Sequence, residues 1–298
     1  MHFEEMRGAY SALFTPYTKD NRINTEMIGR LVEHQLAGGL RGFFVGGTTG
    51  ESMLLTLDER KLVLETVVAA NRGRGKVIAH VGAVRTEDSV DLARHAADCG
   101  ADWVASVPPV YFAQTFEGTL YHYSQIAGAS DLPFMVYAFR TTVDPERDAR
   151  LFEIKNLKGM KFTNSNYYSI QQLRRRLDKP ALFLSGMDEL LVCALSMGVF
   201  HGGIGTTYNM LPRHFAEICR LVLECGDVAA ARPLQHEANA LIALALKYGN
   251  MSYSKAVMRF MGLDCGYCRA PFPPVSEEQY AAFADELRAQ GILQEGQI

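Results

Sequence analysis

Residues Leu157–Thr163 read Leu-Lys-Gly-Met-Lys-Phe-Thr, a short apolar run that carries two lysines. Because side chains alternate along a strand, we expect Gly159 and Lys161 to share one face. Met160 and Phe162 then point to the other face. An amine placed beside a glycine and backed by apolar residues is desolvated, and desolvation favours its neutral, nucleophilic form. The stretch therefore predicts a buried strand that carries a reactive lysine, Lys161.

An ordinary lysine at the end of a strand, with its amine in water, is the alternative for Lys161. The stretch alone does not exclude this alternative. Lys158 falls on the opposite face and nearer the start of the strand, so we expect it at the surface. The choice between a reactive and an ordinary Lys161 therefore depends on evidence from the rest of the chain.

Seven further short apolar runs alternate with helical patterns along the chain. Together with the first run they give eight predicted strands, at residues 9–17, 42–45, 76–81, 103–107, 133–137, 157–161, 181–185 and 202–206. Eight strands that alternate with helices, without a break in composition, predict an α/β fold, a parallel (β/α)8 TIM barrel. A doubly wound open sheet is the competing fold, but no Gly-x-Gly-x-x-Gly motif follows the first strand.

Four more helical patterns follow the eighth strand, at residues 212–223, 228–246, 252–261 and 277–289. A barrel needs only one of them to close, so the others predict a C-terminal helical extension. We expect the barrel over residues 1–210, and the closing helix with a helical appendage over residues 211–298. No low-complexity linker separates the two parts, and the sequence shows no short internal repeat.

Composition and charge exclude several classes of protein. The chain has 298 residues, is 48% hydrophobic and carries a net charge of -3, so it can bury a large core and shows no sign of a nucleic-acid or membrane partner. Residues 1–7 lack the apolar run of a signal peptide, and no stretch is long enough to span a membrane. We therefore expect a soluble cytoplasmic protein.

The six cysteines are scattered and lie mostly in helical patterns, which favours buried free thiols. Cys265 and Cys268 have the spacing of a redox or zinc pair. No second pair and no His-x-His partner lies near them, so we expect no metal site.

Polar residues follow several predicted strands at their carboxyl ends, where barrels of this kind carry their active sites. After the second strand the chain reads Gly46-Gly47-Thr48-Thr49-Gly50-Glu51. Glycines let a ligand approach the backbone, and Thr48, Thr49 and the amides of the turn can hold a carboxylate. A tight turn capped by threonines is the alternative. Glu51 is expected to brace the loop, since its charge repels an anion.

Two tyrosines and a second polar group follow other strands. Tyr137 ends the fifth strand, and Tyr111 lies in the loop after the fourth. A phenol near a neutral lysine can shuttle protons. The alternative is that a lone tyrosine at a strand end is an amphipathic core residue, which is the usual case. Asp188 and Glu189, after the seventh strand, either cap the next helix or accept hydrogen bonds from a polyol. Thr163 and Thr206 fit the same polar wall.

These motifs resemble the lysine-dependent aldolase family that contains dihydrodipicolinate synthase and N-acetylneuraminate lyase. The resemblance covers nearly the whole chain, through Gly-Gly-Thr-Thr-Gly-Glu at 46–51, Tyr137, the Lys161 strand and Gly-Ile-Gly-Thr-Thr-Tyr-Asn at 203–209. Residues 186–189, 202–209 and 268–272 are most similar to the N-acetylneuraminate lyase branch.

The resemblance implies that Lys161 forms a Schiff base with the keto carbon of pyruvate or another 2-keto acid, the expected small-molecule substrate. No metal or organic cofactor is then expected, because the lysine itself supplies the electrophilic imine. The resemblance also implies that Thr48, Thr49 and their amides hold the pyruvate carboxylate. Tyr137 would move the proton to and from the aldol hydroxyl, with Thr48 and Tyr111 as a relay.

The resemblance further implies a homotetramer, in which the tyrosine matching Tyr111 reaches into the neighbouring subunit's site. The sugar side of the pocket would be lined by Thr163, Gly186, Asp188, Glu189 and Thr206.

One segment departs from the family pattern. Relatives usually follow the catalytic tyrosine with Asn-x-Pro, whereas Tyr137 is followed by Ala138-Phe139-Arg140-Thr141-Thr142, and Lys161 comes only 24 residues after Tyr137. Arg140 is similar to the arginine with which dihydrodipicolinate synthases hold the carboxylate of their aldehyde substrate. This departure leaves the identity of the aldehyde partner open.

Three functions are therefore weighed. The leading one is reversible cleavage of N-acetylneuraminate to pyruvate and N-acetylmannosamine. The second is the same lysine chemistry on another partner, as a 4-hydroxy-tetrahydrodipicolinate synthase or a 2-keto-3-deoxy sugar-acid aldolase or dehydratase. The third is a non-catalytic barrel that binds a 2-keto acid, which predicts binding without exchange of the C3 protons of pyruvate.

Overall fold

A computed structural model describes residues 3–139, 141–249 and 251–296. Eight parallel strands close into a barrel in sequence order, with β8 bonded to β1. The strands are β1 Gly8–Ala12, β2 Gly42–Val45, β3 Lys76–His80, β4 Trp103–Ser106, β5 Phe134–Phe139, β6 Leu157–Thr163, β7 Leu182–Ser185 and β8 Gly202–Gly205. The (β/α)8 TIM barrel predicted from the alternation of elements is confirmed.

Helices connect the strands and continue beyond the barrel. They are α1 Thr25–Ala37, α2 Leu57–Asn71, α3 Thr86–Asp98, α4 Phe116–Ala127, α5 Pro145–Ala149, α6 Tyr167–Arg176, α7 Leu191–Ser196, α8 Pro212–Cys219, α9 Val228–Lys247, α10 Met251–Phe260 and α11 Glu277–Gln290. The predicted C-terminal helical extension consists of α9, α10 and α11. No helix in the described part of the chain is long and apolar enough to cross a membrane.

The first strand is shorter than predicted, because the apolar residues after it pack elsewhere. The prediction ran to residue 17, whereas β1 ends at Ala12. Beyond it, the backbone N–H of Tyr17 donates to the carbonyl of Cys265 at 3.1 Å, in the segment after α10. These residues therefore join the C-terminal part of the chain to the barrel instead of extending the strand.

Two apolar layers hold the barrel, one inside it and one between its strands and the helices. The inner layer contains Phe44, Trp103 and Tyr137, and the outer layer contains Met160 and Phe162. Met160 and Phe162 of strand β6 therefore point outward, as the alternation of side chains along the strand predicts.

The other residues of β6 follow the same division. A side chain at Gly159 would lie 3.4 Å from the ring of Trp103, so Gly159 faces inward, and the inner layer has no room for a larger residue there. Lys158 donates from its amine to the carbonyl of Lys155 in an exposed hydrogen bond, which confirms its predicted surface position.

The cysteines are all free, but the prediction that they are buried is wrong for two of them. Cys193 and Cys225 are exposed, whereas Cys219, Cys265 and Cys268 are buried and Cys99 is half-buried. Cys193 lies on the outward face of α7, whose other face packs on the barrel. Within the described ranges, no group of three or more His, Cys, Asp and Glu residues could hold a metal ion.

Candidate active site

Lys161 lies inside the barrel, near the carboxyl end of β6. It is 4% exposed, and its Nζ lies 4.2 Å from the centre of the Phe44 ring and 4.1 Å from that of the Tyr137 ring. No ion pair of Lys161 is found among the residues that the structure describes. The alternative of an amine in water is therefore wrong, since the amine is enclosed by two aromatic faces.

Tyr137 is brought to Lys161 by the pairing of β5 with β6. The two residues are direct register partners, and both side chains point into the barrel. The Tyr137 ring meets the Phe44 ring edge-on, at a centroid distance of 5.6 Å. The ring of Phe139 also lies close, 5.4 Å from that of Tyr137. Tyr137 is thus held in place by packing against both rings.

The loop at residues 46–51 follows β2 and turns across the mouth of the barrel. Gly46 has φ +69°, a left-handed conformation that favours glycine. Thr48 is exposed, whereas Thr49 is buried and its hydroxyl oxygen lies 2.6 Å from that of Thr206. The hydroxyl of Thr49 therefore ties this loop to the loop after β8.

Glu51 anchors the same loop to the C-terminal extension, which confirms its predicted bracing role. Its Oε1 lies 2.7 Å from Nζ of Lys255 in α10, and the two side chains are 0% and 1% exposed. The amine of Lys255 also donates to the carbonyls of Thr15 and Tyr267, both at 2.8 Å. The other carboxylate oxygen of Glu51 accepts from the backbone N–H of Arg269 at 2.8 Å. The extension thus supports the loop from beneath.

Asp188 ties the loop after β7 to the loop after β8. Its Oδ2 accepts a hydrogen bond from the backbone N–H of Thr207 at 2.7 Å. Burial raises the pKa of Asp188 to about 6, although the hydrogen bond to Thr207 opposes the shift. The helical turns after Asp188 and Glu189 have no side-chain cap, so the helix-cap alternative for these two residues is wrong.

Gly186 lies against the candidate lysine and Thr163. A Cβ atom at this position would lie 1.9 Å from Oγ1 of Thr163 and 3.2 Å from Cε of Lys161. Only glycine lets the loop after β7 pass this close to β6. The hydroxyl oxygen of Thr163 is buried and has no hydrogen-bond partner among the described residues. Buried hydroxyls are normally paired, so this unpaired oxygen beside Lys161 is unusual.

A cavity of about 510 Å³ opens beside these residues. One wall is polar and includes five of the predicted residues: Thr163, Gly186, Asp188, Glu189 and Thr206. The apolar part of the lining includes Phe139, Leu241, Ile242 and Leu246. A larger cavity, about 920 Å³, lies outside the barrel between α1, α8 and residues 292–294, and contains none of the predicted residues. We place the site at the smaller cavity, because five predicted residues line it and one of them, Gly186, lies against Lys161. Lys161 and Tyr137 lie next to this cavity and are not themselves among its lining residues.

Three predicted residues are not brought into this group. Thr48 is exposed and is not among the residues that line the cavity. Tyr111 is 90% exposed, with φ +73°, and its ring packs edge-on against Phe112 at 4.9 Å. No contact between Tyr111 and either Lys161 or Tyr137 is found within the described ranges. Arg140 lies outside the described residues.

Several residues at the site were missed from the sequence, among them the polar residues Asn164 and Ser165, which line the cavity. Phe44 and His80 pack against Tyr137, and Lys255 pairs with Glu51. The alternation in β2 offered a signal for Phe44, because a strand that is apolar throughout must point one phenylalanine inward. Lys255 offered none, because its partner lies far away in the sequence.

The sequence model of the Dihydrodipicolinate synthetase family matches residues 5–290. The chain belongs to this family. Among its curated relatives, N-acetylneuraminate lyase from Rhizobium meliloti is 37% identical over 286 residues, which cover 95% of this chain and 95% of that protein.

Solved structures of the family superpose closely on the chain. CdNal from Clostridium difficile, in complex with mannosamine, has a TM-score of 0.90 at 29% identity and covers 96% of this chain and 99% of that one. N-acetylneuraminate lyase from Fusobacterium nucleatum, complexed with pyruvate, has a TM-score of 0.88 at 28% identity and covers 96% of this chain and 97% of that one. The family likeness therefore extends over the barrel and the helical extension together.

Proposed function

We propose that this member of the family is a Schiff-base-forming pyruvate aldolase that reversibly cleaves N-acetylneuraminate to pyruvate and N-acetylmannosamine. The observation that carries the proposal is the buried amine of Lys161, which is enclosed by Phe44 and Tyr137 at the carboxyl end of β6. Family relatives of similar length act as N-acetylneuraminate lyases, as their names state.

Lys161 supplies the covalent step. The amine of Lys161, once it has given up a proton, adds to the C2 keto carbon of the open-chain substrate, and loss of water leaves a protonated imine. The imine withdraws the electron pair of the C3–C4 bond as the C4 hydroxyl loses its proton, so C4 leaves as an aldehyde. The enamine that remains takes a proton at C3, and water then hydrolyses the imine to release pyruvate and restore the amine.

Tyr137 is the proposed acid and base for the proton of the C4 hydroxyl. It is the register partner of Lys161, so a substrate bound to the amine lies beside its ring. The flanking rings of Phe44 and Phe139 hold its orientation. A positioned proton donor of this kind contributes a factor of roughly a hundred or more to the rate.

The loop at residues 46–51 is the proposed site for the pyruvate carboxylate. The hydroxyls of Thr48 and Thr49, with the amides of the turn, offer donors to an anion. The bond between Thr49 and Thr206, and the pairing of Glu51 with Lys255, keep this turn in one place at the barrel mouth. A fixed turn binds the carboxylate without first having to be ordered.

The polar wall of the cavity is the proposed site for the polyol. Oγ1 of Thr163 lacks a partner among the described residues, and the side chains of Asp188 and Glu189 line the same wall. Carboxylates and hydroxyls of this kind accept hydrogen bonds from sugar hydroxyls.

We propose that Tyr111 serves the site of a neighbouring subunit in a homotetramer. Its ring is almost fully exposed in the single chain, and it lies in the loop after β4. Mixed oligomers of the Lys161→Ala and Tyr111→Phe variants would then regain activity that neither variant has alone. A mixture as inactive as its components would contradict this role.

A second candidate is the same imine chemistry with a carboxylate-bearing aldehyde, as in 4-hydroxy-tetrahydrodipicolinate synthesis. The segment after Tyr137 favours it, because Phe139 lines the cavity and Arg140 is the next residue. Arginine is the side chain whose planar guanidinium pairs best with a substrate carboxylate.

Borohydride trapping followed by intact-mass analysis tests the proposal. Pyruvate and N-acetylneuraminate should each give a reduced adduct that maps to Lys161, and N-acetylneuraminate should release free pyruvate. An adduct from pyruvate alone would favour the second candidate, which a panel of aldehydes would then examine. Absence of any adduct would contradict both candidates.

A further inference from the structure

His80 ends strand β3 and is buried beside the proposed catalytic pair, although no motif in the sequence marks it. Its ring centre lies 5.9 Å from that of Tyr137 and 5.8 Å from that of Phe44. These are the two rings that enclose the Lys161 amine. His80 does not line the cavity, so any effect it has on the reaction passes through the residues that it touches.

Both ring nitrogens of His80 are engaged by backbone groups. Nδ1 lies 2.8 Å from the carbonyl oxygen of Gly46, and the backbone N–H of Val107 points at Nε2 from 3.3 Å. A carbonyl only accepts and an N–H only donates, so the hydrogen is on Nδ1 and Nε2 keeps its lone pair. His80 is therefore a neutral ring that links the loop after β2 to the end of β4.

The surroundings of His80 keep the ring neutral. Burial lowers its pKa to about 3, and the nearby charges of Arg60 and Lys161 act in the same direction. A second proton would remove the lone pair that the N–H of Val107 uses. The two hydrogen bonds are consequently present over the whole range in which an aldolase works.

Arg60, in α2, holds the backbone that carries the ring. Its buried guanidinium donates to the carbonyls of His80 and Gly82, each at 2.8 Å. No carboxylate lies within salt-bridge distance of Arg60 among the described residues, so its bonding is directed at the end of β3. Both the main chain and the side chain of His80 are thereby fixed.

The hydrogen bond from His80 constrains the loop at Gly46, where the backbone would otherwise be most free to rotate. The carbonyl of Gly46 and the N–H of Gly47 belong to one planar peptide group, so fixing the first also fixes the second. With glycine on both sides, this peptide group could rotate at little steric cost. Thr48 and Thr49 follow directly, and the direction of their amides depends on it.

We propose that His80 is a positioning residue for the carboxylate-binding turn, acting through the hydrogen bond from its Nδ1 to the Gly46 carbonyl. The inference rests on the proposed function, in which this turn holds the carboxylate of pyruvate. It predicts that loss of the Nδ1 donor weakens the binding of pyruvate while the aldehyde side of the cavity is unaffected.

Two near-isosteric substitutions separate the nitrogens of the ring. In His80→Asn the amide nitrogen can take the place of Nδ1, whereas in His80→Gln the amide lies near Nε2 and no donor faces Gly46. The measurement is the pyruvate concentration that gives half-maximal borohydride trapping. We expect it to rise roughly tenfold in His80→Gln, the effect of one lost hydrogen bond, and to stay within about threefold of the parent in His80→Asn.

The parent enzyme and a third variant complete the test. Arg60→Lys leaves His80 intact and weakens its backbone support, so we expect a severalfold rise in the same concentration and an unchanged KM for N-acetylmannosamine in synthesis. If His80→Asn and His80→Gln show the same pyruvate dependence, the inference is overturned and the proposed function is not. If neither histidine variant folds, a folded Arg60→Lys variant with the parental pyruvate dependence would overturn it in the same way. No adduct in the parent would instead overturn the proposed function, and this inference with it.

Discussion

Tyr137 and Lys161 are register partners on neighbouring strands, and the lysine amine lies 4.1 Å from the centre of the tyrosine ring. The amine thus meets the face of the ring, a contact that phenylalanine also provides. The hydroxyl of Tyr137 can therefore be removed without disturbing the packing around the amine. Substitution of Tyr137 should therefore affect proton transfer alone, whereas substitution of Lys161 should abolish imine formation.

Tyr137→Phe should still trap pyruvate but lose turnover by roughly a hundredfold or more, because only the proton donor is removed. Lys161→Ala should lose trapping and turnover together. Intact-mass analysis after borohydride reduction, alongside the rate of pyruvate release, checks both variants. An adduct that persists in Lys161→Ala would show that another lysine is the nucleophile.

Gly186→Ala should block the site while leaving most of the fold intact. The new Cβ would lie 1.9 Å from Oγ1 of Thr163 and 3.2 Å from Cε of Lys161, so both side chains must move. Overpacking of this kind costs about 1–3 kcal/mol of unfolding free energy, and the displaced amine should trap pyruvate slowly. Trapping rate and denaturant unfolding are the two measurements.

Gly29→Ala is the matched control for this substitution. Gly29 lies inside α1, and none of the described residues comes within 4 Å of the Cβ that alanine would add. Alanine there should therefore add up to about 1 kcal/mol of stability and leave trapping unchanged. If Gly186→Ala and Gly29→Ala had the same trapping rate and the same stability, the close approach between the loop and Lys161 would not matter for function.

Lys255→Met should cost about 3–5 kcal/mol of unfolding free energy, because it leaves the buried carboxylate of Glu51 without its ion partner. Lys247→Met is the control, since Lys247 and Glu286 form a largely exposed pair that water screens, and its loss should cost far less. Urea unfolding of both variants provides the comparison. Equal costs would mean that the pair of Glu51 and Lys255 does not anchor the loop.

The double variant Glu51→Gln with Lys255→Met extends this test. Removing both charges leaves neither group unpaired, so its cost should be smaller than the sum of the two single costs. It should also raise the pyruvate concentration needed for half-maximal trapping, because the turn loses its support. Strict additivity would show that the two side chains act independently.

The elements of the barrel could be predicted where local pattern and final packing agree. Strand β2 has the predicted bounds, because three consecutive large apolar residues flanked by glycines leave few alternatives. Residues 13–17 show the opposite case. They are as apolar as a strand, yet the backbone of Tyr17 bonds to Cys265, a partner that local pattern does not reveal.

The site could be predicted where it is a property of strand ends. Thr163, Asp188 and Thr206 line one cavity because parallel strands deliver the loops that follow them to the same edge. The contacts behind these residues could not be predicted. His80 and Lys255 act through partners on other elements, and only the register of the barrel and the path of the extension bring them together.

Asp188 should make the stability of the protein fall as the pH rises from about 4 to about 6. Its pKa is raised to about 6 by burial from an ordinary value of 3.8, so the folded protein holds the proton more tightly than the unfolded chain. Below both values the group is protonated in both states and contributes no penalty. Above pH 6 the buried carboxylate is charged and the full penalty is present.

Asp188→Asn removes this titration but keeps an acceptor for the N–H of Thr207. The variant should therefore gain stability over the parent as the pH rises through this window, reaching on the order of 2–3 kcal/mol near pH 7. Denaturant unfolding at intervals between pH 4 and pH 7 measures the difference.

Asp144→Asn is a control of opposite sign. Hydrogen bonds from the backbone at the start of α5 lower the pKa of Asp144, so loss of this carboxylate should destabilise the protein at neutral pH. If the difference between Asp188→Asn and the parent is the same at every pH, Asp188 does not carry a raised pKa, and the polar wall of the cavity holds an ordinary carboxylate.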